Sequence, residues 1–183
     1  FNMASDSDLF RNRQQMEAEG LELKGNIFER VGERYLPLYE AKMTQPYDHR
    51  AADVVISATA VVRQGQPDSL SEVEHRDPNR LPLPRYWVQE SEVEDQISDM
   101  KWLLGFTDVT SPTNERTMLP CFIPRVAVGH TLPLILSATS CSLIEIGACF
   151  ASFPFDYLGR QKMGGIHYTF FSVKQVPLPK SDQ

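Results

Sequence analysis

Met118-Leu119-Pro120-Cys121-Phe122-Ile123-Pro124-Arg125-Val126-Ala127-Val128 is a run of apolar and β-branched residues cut by prolines. After Gly129-His130-Thr131 a second short run follows, Leu132-Pro133-Leu134-Ile135-Leu136. Such brief runs bounded by Pro and Gly read as strands, and Phe106 to Thr110 upstream reads the same way. Downstream, Ser142-x-x-Glu145 has the spacing of a capping box and opens a nearly all-apolar segment, Leu143 to about Phe153. That segment is expected as a buried helix. Short strands beside separated helices place the chain in the α+β class, a twisted, mainly β domain with a few packed helices.

Working outward toward the N-terminus, Ser5-x-x-Asp8 with Leu9, Phe10 and Met16 predicts a helix near 6–19, stopped by Gly20. From Gly25 through Met43, Ile27-Phe28 and Tyr35-Leu36-Pro37-Leu38-Tyr39 predict short strands broken by Gly32 and Pro37. Val54 to Val62 is a further candidate strand. Residues 63–84 are rich in Pro and polar side chains without periodicity, so a long, flexible surface loop is expected. Arg85-Tyr86-Trp87-Val88 reads as a strand. Ser91-x-x-Glu94 then caps a helix with Val93, Ile97, Met100 and Leu104 on one face and Gly105 at its end. His167 to Val173 is the last expected strand.

The 183 residues, 42% hydrophobic, fit one domain spanning 1–183. The net charge is −6, unevenly spread: residues 1–100 carry 11 basic and 19 acidic side chains, residues 101–183 carry 7 and 5. A polyanion is therefore expected to meet the C-terminal half. Phe1-Asn2-Met3-Ala4-Ser5 has no basic n-region of a secretory signal, and the apolar stretch Leu132 to Leu158 contains Glu145, Asp156, Gly147 and Pro154. No membrane partner is expected, and a cytoplasmic setting is. Cys121, Cys141 and Cys149 have no C-x-x-C spacing and read as buried thiols, and the scattered histidines supply no metal site.

Enzymatic motifs are missing. The sequence holds no glycine-rich cofactor turn, no Asn/Asp-Pro-Pro-aromatic tetrapeptide, no P-loop, no G-x-S-x-G and no H-E-x-x-H, so no catalytic or cofactor-binding residue is assigned. Glu40, Asp48, His49 and Arg50 lie close in sequence and could hold a metal or share a proton, but proximity is the only support for that, and surface ion pairs at the end of a strand are the favoured reading. Arg160-Gln161-Lys162-Met163-Gly164-Gly165 carries two cations and an amide before a glycine pair. Arg and Gln read guanine and adenine edges, and a glycine pair lets backbone amides approach an anion. The alternative is a basic helix end with a glycine cap.

Several blocks occur together in order: Glu33 to Met43 (ERYLPLYEAKM) with Tyr47-Asp48-His49-Arg50, Arg85-Tyr86-Trp87-Val88, Trp102-Leu103-Leu104-Gly105-Phe106, Asn114-Glu115-Arg116-Thr117, Val128-Gly129-His130-Thr131-Leu132-Pro133-Leu134, Phe155-Asp156-Tyr157-Leu158 with Arg160-Gln161-Lys162, and Lys174-Gln175-Val176-Pro177. Over about residues 6–179 the chain resembles the C-terminal target-recognition region of type II, type IIG-like, restriction-modification adenine-specific DNA methyltransferases. The resemblance implies double-stranded DNA and the methyltransferase domain of the same parent chain as partners. It also implies S-adenosylmethionine as a cofactor of that parent, some of whose kind also cleave DNA, and none in this segment. With it, Arg160, Gln161, Lys162, Gly164, Gly165 and His167 become the candidate DNA-binding residues. The competing expectation is an interaction or structural module that contacts the parent's catalytic or nuclease domain.

Overall fold

The computed structural model describes residues 1–57, 65–94, 97, 100–136 and 140–179, and within helix 140–151 the side chains from 142 onward. The fold is α+β. Its largest sheet is built from β1 (Glu22–Lys24), β2 (Ile27–Arg30), β3 (Glu33–Tyr39) and β6 (Trp87–Gln89), all antiparallel, in the order β1-β2-β3-β6. Gly25 and Gly32, the hinges of the two hairpins, adopt positive φ of 63° and 80°, where a β-carbon would be strained. Beyond β2 the far end of β3 turns to a parallel partner, β9 (Ala127–Val128), through Leu38 and Tyr39.

Pro37 sits in the middle of β3, which ordinarily argues against a central strand. Leu36 and Leu38 direct their amides to β6, Leu38 donating to the Tyr86 carbonyl at 2.9 Å. Residue 37 therefore faces the other side, past Ile27, where β2 has ended. No ladder bond is lost.

A second sheet joins β7 (Trp102–Phe106) between β8 (Pro120–Pro124) and β10 (Leu134–Ile135), again antiparallel. The predicted helix running from Ser91 to Leu104 is corrected at its end: α3 is described over Glu90–Glu94, and Trp102 to Leu104 belong to a central strand. Leu103 and Leu104 are both buried because both faces of β7 are covered, and a run without alternation mimics a helical stripe.

The loop expected over 63–84 is also corrected, from residue 65 onward. β5 (Gly65–Ser69) pairs with β4 (Ala52–Ile56) in a two-stranded ribbon, and α2 (Glu72–Arg76) follows with Ser71 and Glu74 in a reciprocal capping box. The Ser71-x-x-Glu74 signature was present in the sequence beneath the polar composition. The remainder of the expected Val54–Val62 strand, from residue 58, lies outside the described residues.

The N-terminal helix is shorter than expected. A 3-10 turn at Ser7–Leu9 precedes α1 (Arg13–Ala18), which Asn12 and Gln15 cap, and Gly20 at φ 78° turns the chain away. At the other end α4 (Ser140–Ala151) and α5 (Phe153–Lys162) are separate helices. Pro154 opens the second in its first turn, where its missing N–H costs nothing. His167 to Val173 is not a strand: residues 166–168 form a single bridge to 108–110, and α6 (Phe170–Val173) follows.

Among the described residues three apolar cores result. Leu36, Leu38, Tyr39, Val88, Leu103 and Ile123 fill the space between the two larger sheets. Met16, Leu21, Phe28 and Trp87 close a smaller core under α1, with the Trp87 indole donating to the Asn26 carbonyl at 2.8 Å. Phe106, Met118, Phe150, Phe155 and Tyr168 pack beneath α4, α5 and α6. No helix among the described residues is long and apolar enough to cross a membrane.

Candidate nucleic-acid interface

α5 is capped by Ser152, whose hydroxyl accepts from the Phe155 amide. One turn on, Asp156 is 4% exposed, yet charged partners surround it. Its Oδ1 accepts the amides of Thr117 and Met118, both at 2.7 Å, and its Oδ2 accepts from Arg160 at 2.9 Å. Burial alone would raise the Asp156 pKa. The two backbone donors, Arg160 and the nearby Arg116 outweigh it and hold the carboxyl below its usual range.

Arg160 reaches further, donating to the carbonyls of Pro112 at 3.1 Å and Glu115 at 2.9 Å. Arg116 donates to the Ala151 carbonyl at 2.7 Å and lays its guanidinium 4.8 Å from the centre of the Phe153 ring. Asp156, Arg160 and Arg116 thus tie α5 to the 111–118 loop. The Arg160 side chain is 28% exposed, with its donors directed into the protein.

The other sequence candidates sit differently. Gln161 and Lys162, in the last turn of α5, are exposed, and neither side chain makes a hydrogen bond or an ion pair among the described residues. Gly164 and Gly165 are exposed as well, and a β-carbon at either would meet open space. Neither has a positive φ, so no intrachain geometry demands glycine there. His167 is exposed and places Nδ1 2.9 Å from Asp108 Oδ2. Six residues adjacent in sequence therefore divide: Arg160 is bound into the fold, His167 is paired with Asp108, and the others form an open rim.

The rim continues onto aromatic surface that sequence reading missed. Phe153 and Tyr157, four residues apart on α5, are 77% and 65% exposed, and Gln161 lies one further turn along the same face. Phe171 of α6 is exposed too. The i, i+4, i+8 spacing was readable, but the start of α5 at Phe153 was not. Behind the rim, Tyr168 is fully buried against Gly159, and burial pushes its phenol up to about 12.

The Glu40, Asp48, His49, Arg50 group separates into two structural networks. Glu40, 3% exposed, accepts from Arg85 Nε at 2.9 Å and pairs with Lys42 at 3.1 Å. Asp48 faces His75 at 3.1 Å and the Arg50 amide at 2.8 Å. His49 is half-buried, and burial lowers its pKa. Among the described residues no three His, Cys, Asp or Glu side chains group closely enough to hold a metal ion. Cys121 is buried and its thiol is pushed up to about 12 by that burial, which suits a packing residue, while Cys149 is half-buried.

Neither protein-family models, nor curated proteins, nor solved structures provide a match to this chain.

Proposed function

We propose that this chain is the DNA target-recognition region of an adenine-specific restriction-modification methyltransferase, non-catalytic by itself. The observation that carries the reading is the rim at the end of α5: Gln161 and Lys162 project outward with no partner among the described residues, followed by the open Gly164-Gly165 backbone. A lysine free of carboxylates is available to a phosphate, and a free amide is available to a base edge. Arg160 does not belong to this contact set, because Asp156, Pro112 and Glu115 already take its donors. The cofactor, S-adenosylmethionine, belongs in this reading to the methyltransferase part of the parent, since the chain has no glycine-rich turn to hold it.

Titrating this chain against a labelled mixed-sequence duplex at two salt concentrations tests the proposal. Binding is expected to weaken with salt, and Lys162→Ala is expected to reduce the salt slope by about one unit without changing the melting temperature. No binding at low salt, or a Lys162→Ala slope equal to wild type, would count against it. A second reading has its own support: the rings of Phe153 and Tyr157, exposed on one face of α5, and the exposed ring of Phe171 on α6 offer apolar surface suited to contact with the parent's catalytic or nuclease domain. In that case Tyr157→Ala, rather than Lys162→Ala, is the substitution that alters function.

A further inference from the structure

The turn Gln45-Pro46-Tyr47-Asp48 closes with two mutual backbone bonds, Gln45 N to Asp48 O at 2.8 Å and Asp48 N to Gln45 O at 2.9 Å. Tyr47 occupies its third position at φ 67°, the only non-glycine residue with positive φ among those described. Turns with Pro second and a left-handed residue third favour Gly or Asn there, because a β-carbon costs free energy in that region. Tyr47 is nevertheless 86% exposed and makes no hydrogen bond or ring contact among the described residues. Every intrachain preference at this position points to glycine, so the ring's role lies outside the chain.

The turn is also anchored firmly. Asp48 Oδ1 accepts from the Arg50 amide at 2.8 Å and Oδ2 pairs with His75 at 3.1 Å. Arg50 in turn donates to the carbonyls of His75, Asp77 and Arg80 at 2.9, 2.9 and 3.1 Å. Met43 and Thr44, entering the turn, are buried. The ring is carried on a rigid support, which reduces the entropy lost when it is clamped against a partner.

We infer that Tyr47 is a stacking contact for an unpaired nucleobase, presented by the strained Gln45–Asp48 turn. The inference rests on the DNA-recognition reading above and extends it into the acidic N-terminal half of the chain, outside the half expected to meet the phosphates, where stacking of a base on a ring needs no cation. A protein partner is less well matched, since protein hot spots sit within a shell of other apolar side chains. Here the turn's other outward side chain is the exposed amide of Gln45, and an aromatic face beside an amide suits a base plane and its edge.

The test uses this chain, a labelled mixed-sequence duplex with one unpaired adenine, and the variants Tyr47→Gly and Tyr47→Phe. Glycine relaxes the backbone, so Tyr47→Gly is expected to melt at or above the wild-type temperature while binding the probe about fivefold or more weakly. Tyr47→Phe keeps the ring and is expected to bind within about twofold of wild type. If wild type binds and Tyr47→Gly binds equally well, the inference fails and the DNA-recognition reading stands; a ring serving a protein partner gives this result. If Tyr47→Phe loses as much as Tyr47→Gly, the hydroxyl rather than the ring is responsible, and stacking is refuted. If wild type binds neither this probe nor a fully paired duplex, the DNA-recognition reading fails and takes the inference with it.

Discussion

Replacing Arg160 with Ala separates a side chain that holds the fold together from one that touches DNA. Its guanidinium makes three hydrogen bonds, to the Pro112 and Glu115 carbonyls and to the Asp156 carboxylate. Hydrogen bonds involving a charged group contribute about 1.5–3 kcal/mol each, and the 28% exposure of the side chain reduces the sum through solvent screening. Asp156 retains the amides of Thr117 and Met118, so the carboxylate is not stranded when Arg160 is removed. The expected loss is about 3 kcal/mol, which for a chain of this size lowers the melting temperature by roughly 6–12 °C. Arg160→Lys is not expected to rescue it, because an ammonium cannot span two carbonyls and a carboxylate in the fork that a guanidinium provides. Thermal and urea unfolding of Arg160→Ala, Arg160→Lys and Lys162→Ala are the measurements, with Lys162→Ala expected within about 0.5 kcal/mol of wild type. An Arg160→Ala protein that melts within about 2 °C of wild type and binds DNA more weakly would refute this assignment and return Arg160 to the recognition surface.

Gly159→Ala drives a β-carbon into the buried Tyr168 side chain and is expected to cost about 1–3 kcal/mol, whereas Gly164→Ala, which meets open space, should leave unfolding unchanged. The Asp156 carboxyl is held below its unfolded value of 3.8, so its stabilisation is present above that pH and disappears as the pH falls through the lower folded pKa. Asp156→Asn is accordingly expected to flatten the acid limb of the stability profile below about pH 4, and an unaltered limb would show that other carboxylates set it. His75 has the opposite sign: the Ser71 carbonyl and then Asp48 raise its pKa above 6.5, so its contribution is complete below 6.5 and lost as the pH rises through the folded value. The fall in melting temperature between about pH 6 and pH 8 should be smaller in His75→Gln than in wild type.

Sequence reading recovered those elements whose signals are local. Ile27-Phe28 and Tyr35 to Tyr39 marked strands and Gly32 the break between them, whereas Pro37, expected as a second break, lies inside the continuous strand β3. It misread Trp102 to Leu104 because the apolar spacing Val93, Ile97, Met100, Leu104 fits a helix, while the deciding fact is nonlocal. β7 is covered on both faces and hydrogen-bonded on both edges by strands that lie later in the chain. His167 to Val173 failed for a related reason. Tyr168 is recruited into the core beside Gly159, which fixes the chain direction, and Thr169 onward then coils into α6 despite its aromatic, strand-favouring composition.

The candidate site shows the same division at the level of single side chains. Sequence placed Arg160 and Lys162 together as two cations two residues apart, and nothing in their spacing distinguishes them. Asp156, four residues before Arg160, was a readable hint of an ion pair along the helix. The carbonyls of Pro112 and Glu115 were not readable, because they lie more than forty residues from Arg160 in the chain and meet it only through the packing of Phe106, Met118 and Phe155 in one core. Helix geometry then finishes the separation: two residues on, Lys162 is rotated by about 200° from Arg160. When Arg160 faces the loop, Lys162 must face solvent. The same packing that removes one cation from any recognition surface therefore exposes the other, and basic composition alone overstates the cations available to a phosphate.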